Sequence, residues 1–355
     1  MKIGLIGLQN SGKTTIFNAL TRSEAEVTSY ANARAEPNVA IVSVTDDRIL
    51  RLSELYRPKR TVFATLELMD FVGLAEGAAK EDLFSGSAMG QIRNTDALAL
   101  VVRNFPDELG EGPAPLEDIR KVNEELILSD LMIVESRLER IAHQYQRGQK
   151  TDTLQKEEKT LREILDHLNE DQSIRTLELD QDQEKVIRGF QFLTQKPFMV
   201  VLNSEETNFG KNEDLLKEID RSFRVLEFAG KFEMELSRLN EDEAELFLED
   251  MGIDASARDR LSRLAYEILG YISFFTVGSD EVRAWNIRRG QSAVEAAGVI
   301  HSDLARGFIR AECFAYDDLM ECGSEKGVRE GGLLRLEGKH YVVQDGNILN
   351  IRFNV

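Results

Sequence analysis

The residues that could do chemistry begin at Gly7, where GLQNSGKTT matches the spacing GxxxxGK[ST]. Glycines there let backbone N–H groups curl around phosphate, and the start of a following helix adds positive potential. Asn10, Ser11, Gly12, Lys13, Thr14 and Thr15 are the candidate phosphate binders. Lys13 would reach the outer phosphates and act catalytically, and Thr14 would offer its hydroxyl to Mg²⁺. A second element, MDFVGL, supplies Asp70 and Gly73 in the spacing DxxG. Asp70 is a candidate for the Mg²⁺ shell, and the Gly73 N–H for sensing a γ-phosphate. The next residue is Leu74, whose aliphatic side chain cannot position water, so hydrolysis would need another group.

A third stretch, KPFMVVLNSEE, ends on Asn203, Ser204, Glu205 and Glu206. GTP switches carry NKxD on such a loop, where the Asp carboxylate accepts two hydrogen bonds from the guanine edge. Here the aspartate is missing, which leaves open what base the loop reads.

Elements of two kinds must position these residues. KIGLIGL (2–8), NVAIVSV (38–44), TVFATLELMD (61–70) and ALALVV (97–102) read as strands and KTTIFNALTR (13–22) as a helix, which predicts an α/β sheet with parallel strands. From about residue 116 the texture changes. Ile127, Leu131, Val134, Leu138, Ile141 and Tyr145 share one helix face, and Leu154, Leu161, Leu165 and Leu168 repeat similarly beyond a polar break. A coiled-coil-like helical hairpin turning at Gly148 is implied, either a spacer or a partner-binding arm. Strands resume with FMVVLN (198–203) and FRVLEFAG (223–230), followed by an acidic helical stretch to about 270. The tail from about 275, with short strands such as FIRAECFAY and HYVVQDG and a helix SAVEAAGVI, reads as a small α+β module.

A chain of 355 residues has room for two or three domains. Its net charge of −19 argues against a general nucleic-acid coat, since phosphate neutralisation needs excess Lys and Arg. The acidity is uneven: about −2 for residues 1–110, −7 for 111–195, −8 for 196–275 and −2 for 276–355, so a locally basic face at either end is allowed. No apolar run approaches a membrane span and nothing reads as a signal peptide. Cys313 and Cys322 form neither a disulfide framework nor a metal cluster, and a reducing cytoplasm is the expected compartment. His143, His167, His301 and His340 lack metal spacing. Trp285 reads as a packing residue of the tail in preference to an RNA-stacking platform, and Arg283, Arg288 and Arg289 form the best local basic cluster.

With these motifs in place the chain resembles the Obg-like ATPase (YchF) family over almost its whole length. The likeness is carried by the phosphate loop, DFVGL, the hairpin entry NEELILSDLMIVESRLERI, EDQSIRTLEL and the tail FFTVGSDEVRAWNIRRGQSAVEAAGVIHSDLARGFIRAECFAYDD with RLEGKHYVVQDGNILNIRFNV. The resemblance implies a P-loop NTPase G domain of the TRAFAC class with a parallel-rich sheet, an inserted α-helical coiled-coil hairpin and a C-terminal α+β domain of β-grasp (TGS) fold. The expected bounds are 1–112 and 196–274 for the G domain, 113–195 for the hairpin and 275–355 for the TGS domain. It also implies slow hydrolysis of ATP in preference to GTP, with Mg²⁺. The implied partner is the ribosome (large subunit or 70S-type particle) and/or RNA, with no membrane, for a monomer or weak dimer. Asn203 then fits the purine-holding Asn, and Glu206 stands where a GTP switch has Asp. A longer Glu cannot take the two-donor guanine edge in the same geometry, so guanine preference is lost, and adenine would be held by Asn203 and backbone around Ser204. Ala229, Gly230 and Lys231 lie where the family has its SAK-like loop.

The departures from the family pattern fall in the switches. YANARAEPN puts Arg34 where the family has a Thr that closes on Mg²⁺, and a guanidinium cannot ligate a cation. Arg34 is therefore either a cis arginine finger or a solvated residue of a decayed switch. The glycine-rich stretch after DxxG has become EGAAKEDLFSGSAM, and Gln91 beyond it is a candidate to orient water. A slow ATPase switch is the leading function; a nucleotide-binding scaffold that no longer hydrolyses is the alternative.

Overall fold

The computed structural model describes residues 1–21, 37–71, 87–107, 110–239, 243, 246, 248 and 255–354. Within these the chain divides into two compact units, Met1–Ile41 with Glu67–Arg258, and Val42–Leu66 with Asp259–Val355.

The first unit is built on a six-stranded sheet in the order β2-β4-β1-β5-β6-β7. Its strands are β1 (Lys2–Ile6), β2 (Asn38–Ser43), β4 (Thr65–Asp70), β5 (Ala97–Asn104), β6 (Phe198–Ser204) and β7 (Arg224–Phe228). The β4-β1-β5-β6-β7 pairs all run parallel. The apolar runs in β1, β5 and β6 are buried nearly end to end, as a parallel sheet covered on both faces requires. Helix α1 (Lys13–Thr21) turns Ile16, Phe17 and Leu20 inward. Helix α3 (Ser87–Arg93) precedes β5, α7 (Glu213–Asp220) precedes β7, and α8 (Gly230–Leu236) follows it.

The hairpin is α4 (Pro115–Gln146) and α5 (Asp152–Asn169), turning at Gly148, with α6 (Gln181–Ile187) beyond it. Pro115 starts α4 where a missing N–H costs nothing, and Thr151 caps α5 by accepting from the Leu154 N–H. The seam forms with one shift: Ile127, Val134, Ile141, Leu161 and Leu168 are buried in one apolar cluster as expected, joined by Ile164, while Leu131, Leu138, Tyr145, Leu154 and Leu165 are only partly buried against it. Its base is pinned by Asp130, fully buried, which pairs with Arg93 (3.1 Å) and accepts from the Leu193 N–H (3.0 Å), the Thr194 N–H (2.8 Å) and the Thr194 hydroxyl (2.8 Å). Burial raises the pKa of this carboxyl, and Arg93 and the three donors pull against that rise.

The run TVFATLELMD, expected as one strand, is two. β3 (Arg60–Val62) and β4 sit in different sheets, with β3 in the second unit. The segment between β2 and β4, which carries β3, thus groups with the C-terminal residues, whereas the expected bounds put it in 1–112. In the second unit β8 (Tyr271–Thr276), β9 (Glu281–Arg288), β10 (Phe308–Ala315), β11 (Arg335–Glu337) and β12 (Asn347–Phe353) join β3 in the order β11-β10-β12-β8-β9-β3. Its first and last tail strands, β8 and β12, are parallel neighbours, and α10 (Ala293–Ile300) packs Ala293 and Ala296 on Ile272, Phe274 and Leu349. Helix α9 (Ala257–Leu269), like α8 before it, falls in the expected acidic helical stretch. The strand expected in HYVVQDG does not form. Val342 makes one isolated antiparallel bridge to Ser292, formed by the Ala293 N–H to Tyr341 carbonyl and Val343 N–H to Gln291 carbonyl bonds, and Asp345 and Gly346 then turn the chain. Trp285 packs as expected, stacked on Phe274 at 6.4 Å, with the Arg283 guanidinium 4.1 Å over its ring.

Helix α2 (Asp47–Tyr56) and β3 are fastened into this unit by charge. Arg48 donates to Asp46 (2.9 Å) and Asp345 (2.8 Å) and lies 5.2 Å from the Phe275 ring centroid, and Arg60 pairs with Glu281. Those carboxylates raise the Arg48 pKa against the effect of its own burial. Arg48→Ala is expected to cost roughly 2 kcal/mol, from charge-assisted hydrogen bonds and the ring contact. Chemical denaturation would read this as a lower midpoint at unchanged slope; a wild-type midpoint would show that the contacts are idle.

Candidate functional site

The phosphate loop lies between β1 and α1. Gly7 has no room for a side chain: an added Cβ would stand 2.5 Å from the Val101 carbonyl oxygen. Asn10 and Gly12 both have positive φ, 59° and 80°, which curls the backbone between them. An added Cβ on Gly12 would overlap the Asn203 amide nitrogen. Lys13 opens α1, so its ammonium and the first N–H groups of the helix share one end of the element.

Asp70, at the end of β4, is 5% exposed and gathers the charged groups. The Lys13 ammonium lies 3.7 Å from its Oδ1, the Thr14 hydroxyl donates to its Oδ2 at 2.9 Å and Asn38 Nδ2 at 3.4 Å. Burial lowers the Lys13 pKa, and the Asp70 charge partly restores it. Asp70 Oδ1 makes no hydrogen bond although buried. A carboxylate and a hydroxyl side by side are the hard oxygen donors that Mg²⁺ takes, and the unsatisfied Oδ1 leaves a lone pair for it. The residues therefore fit that ion.

Asn203, buried at the end of β6, ties two loops together. Its Nδ2 donates to the Ser11 carbonyl oxygen at 3.0 Å and its Oδ1 accepts from the Gly230 N–H at 3.0 Å. Beside it opens a cleft of about 380 Å³ lined by Gly12, Thr15, Phe105, Pro106, residues 203–207, Ala229, Lys231 and Phe232. That volume falls in the ~300–1,000 Å³ range of small-molecule sites. Glu206 begins a short 3-10 turn on its rim and is exposed.

The structure thus brings together Ser11, Gly12, Lys13, Thr14, Thr15, Asp70, Asn203, Ser204, Glu206, Ala229 and Gly230. Gln91 is half-buried in α3, and among the described residues no contact joins it to Lys13, Thr14 or Asp70. Arg34, Gly73 and Leu74 lie outside the described residues. Sequence reasoning missed Asn38, which donates to Asp70, and Phe105 and Pro106, which wall the cleft just after β5. The β5 run continues to Asn104, two residues past the apolar stretch, so its polar end was the available signal.

The chain is 38% identical over 363 residues to the ribosome-binding ATPase YchF of Bacillus subtilis (strain 168), covering 99% of each. The chain belongs to the YchF family. It is also 38% identical over 362 residues to the ribosome-binding ATPase YchF of Pasteurella multocida (strain Pm70), covering 100% of this chain and 99% of that one. A family model described as 50S ribosome-binding GTPase matches residues 2–137, and the YchF-GTPase_C model, described as a protein of unknown function (DUF933), matches residues 271–354. The solved YchF GTPase of Schizosaccharomyces pombe superposes with a TM-score of 0.83 at 28% identity, covering 99% of this chain and 97% of that one. The P-loop fold with a helical insertion and a C-terminal domain is that of the family. The bacterial relatives carry the name ATPase and the yeast structure the name GTPase, which puts the weight of the question on the cleft.

Gly12→Ala is expected to break the Asn203 bracket, because the position combines positive φ with contact to the amide. Nucleotide affinity measured by fluorescence titration should fall by about tenfold or more. Wild-type affinity in Gly12→Ala would mean that the loop relaxes without using Asn203.

Proposed function

We propose that this protein is a slow ATPase that binds ATP over GTP and acts as a ribosome-associated switch in the cytoplasm. The observation that carries the reading is one phosphate loop that serves two sets of groups: its Lys13 and Thr14 meet Asp70, and its Gly12 and Thr15 line the Asn203 cleft. Charges for a polyphosphate and walls for a purine are thereby joined through the same loop. The bacterial relatives named ribosome-binding ATPase, similar over the full length, support both the nucleotide and the partner.

In this reading the loop amides and Lys13 bind the β- and γ-phosphates. Lys13 would exchange its contact with Asp70 for phosphate oxygens, which keeps a buried ammonium paired throughout. Thr14 and Asp70 would hold Mg²⁺, which supplies charge neutralisation at the phosphates when bound. Asn203 ties the phosphate loop to the loop after β7 and so fixes two sides of the cleft that would take the purine. Glu206 replaces the shorter carboxylate that reads guanine, so the cleft loses guanine selectivity and accepts adenine through Asn203 and backbone groups. Among the described residues no helix is long and apolar enough to cross a membrane.

Turnover of ATP by the wild type and by Lys13→Ala, with binding measured in parallel, tests the enzyme. A fall of about 100-fold in turnover is expected on removing the cation that meets the transferring phosphoryl group. Equal turnover in the two proteins, with binding retained in the wild type, would leave a binding scaffold instead. The base is tested separately by competing ATP with GTP: ATP should bind at least several-fold tighter, and equal affinities would refute the role given to Glu206. Co-sedimentation with ribosomes tests the partner, with loss in the pellet at every nucleotide state counting against it.

A further inference from the structure

The base end of the cleft is built by three loops. Phe105 and Pro106 follow β5, residues 205–207 follow β6, and Ala229, Lys231 and Phe232 follow β7. Behind them, at the ends of the same strands, lies a buried polar cluster that does not itself belong to the phosphate site. Glu227 on β7 accepts from the Ser204 hydroxyl at 2.5 Å, from the Gly210 N–H at 3.1 Å and from Asn212 Nδ2. Ser204 Oγ in turn accepts from Asn104 Nδ2 at 3.0 Å and lies 3.3 Å from Asn212 Nδ2. Asn104, Ser204 and Glu227 are each less than 9% exposed.

We infer that Glu227 is a positioning residue for nucleotide-base recognition: its carboxylate gathers the ends of β5, β6 and β7 and sets where the loop carrying Glu206 stands. The inference rests on the reading of the cleft as a base site. Asn104 and Glu227 stand one and two positions before the walls that begin at Phe105 and Ala229, and Ser204 lies within the third wall, residues 203–207. Glu227 does not line the cleft itself. Through Ser204 it holds the near end of the 204–212 loop, and through Gly210 and Asn212 the far end. Gly210 turns with φ of +74°, so a loop fastened at both ends has little freedom between them.

The chemistry at Glu227 is specific to a carboxylate. The Ser204 hydroxyl, the Gly210 N–H and the Asn212 amide all donate to it, and a carboxylate can accept on both oxygens. A glutamine of the same shape must point its amide N–H₂ at one of those donors, which leaves a buried mismatch. A buried ionised group in a strand is tolerated only when hydrogen-bonded in this way. A role in stability alone would weaken every ligand alike. Positioning predicts that the base contribution falls and the phosphate contribution stays.

The test compares wild type, Glu227→Gln and Asn212→Ala for binding of ATP, GTP and inorganic tripolyphosphate with Mg²⁺, with thermal unfolding recorded for each. Glu227→Gln should bind ATP about tenfold more weakly, with a narrower ATP-to-GTP ratio, while tripolyphosphate binding stays within about twofold of wild type. Asn212→Ala, which removes one partner and leaves the carboxylate in place, should move ATP binding in the same direction by about threefold, and it carries the test if Glu227→Gln does not fold. Wild-type constants for all three ligands overturn the inference, as does an equal loss for all three. Wild-type protein that binds ATP no more tightly than tripolyphosphate removes the base reading and this inference with it, an outcome visible without any variant.

Discussion

The site depends on one amide. Asn203 spends both ends of its side chain on backbone groups of two different loops, the Ser11 carbonyl before α1 and the Gly230 N–H at the start of α8. The bracket is possible only because glycine stands at Gly12 and Gly230, where any side chain would meet the amide. Its own position is set by register, since β6 pairs with β5 on one side and β7 on the other, all parallel. In a parallel sheet every strand ends on the same edge, and the loops that leave that edge form a crevice. The Asn203 bridge turns that general crevice into a fixed one.

Charge in the crevice is arranged to be incomplete. Asp70 and Lys13 are both buried, 3.7 Å apart, a separation that pairs them without the short contact of a closed ion pair. Burial disfavours the Lys13 ammonium and the Asp70 carboxylate counters it. Two buried ions held loosely are poised for a third charged group, because an anion near Lys13 and a cation near Asp70 would each add attraction that the protein alone does not supply. The buried Asp70 Oδ1 without a hydrogen bond fits the same account. At the base end Glu227 differs from Asp70: its carboxylate accepts from the Ser204 hydroxyl, the Gly210 N–H and the Asn212 amide.

The remaining elements are held by a few polar contacts added to apolar packing. The hairpin buries a regular seam, yet its base is located by Asp130, whose four partners come from α3 and the segment before β6. In the second unit Arg48 ties Asp46 to Asp345, and β3 extends the sheet by pairing with β9. A segment encoded between β2 and β4 thus completes the sheet of the C-terminal unit. The chain's linear order and its spatial units do not coincide.

Local pattern determined a good deal of this. Glycine spacing marked the phosphate loop, the apolar runs marked β1, β5 and β6, and spacings of three and four marked the hairpin seam, because each of these signals repeats the geometry of a single element. The partners of Lys13 and Thr14 were readable for the same reason: an acidic residue ending a strand after such a loop has one natural place. Tertiary structure decided what lies between elements. TVFATLELMD carries one continuous β pattern, and only the sheets show that Thr65 begins a different strand from Val62. Tyr341 and Val343 have strand-like side chains, but their backbone groups pair with Ala293 and Gln291 in a single isolated bridge. The role of Glu227 rests on donors up to 23 residues away in sequence, Ser204 among them, and on parallel register that brings Leu202 opposite Glu227. Such meetings depend on which backbone groups are still unpaired once the sheet has formed, and no local spacing encodes that.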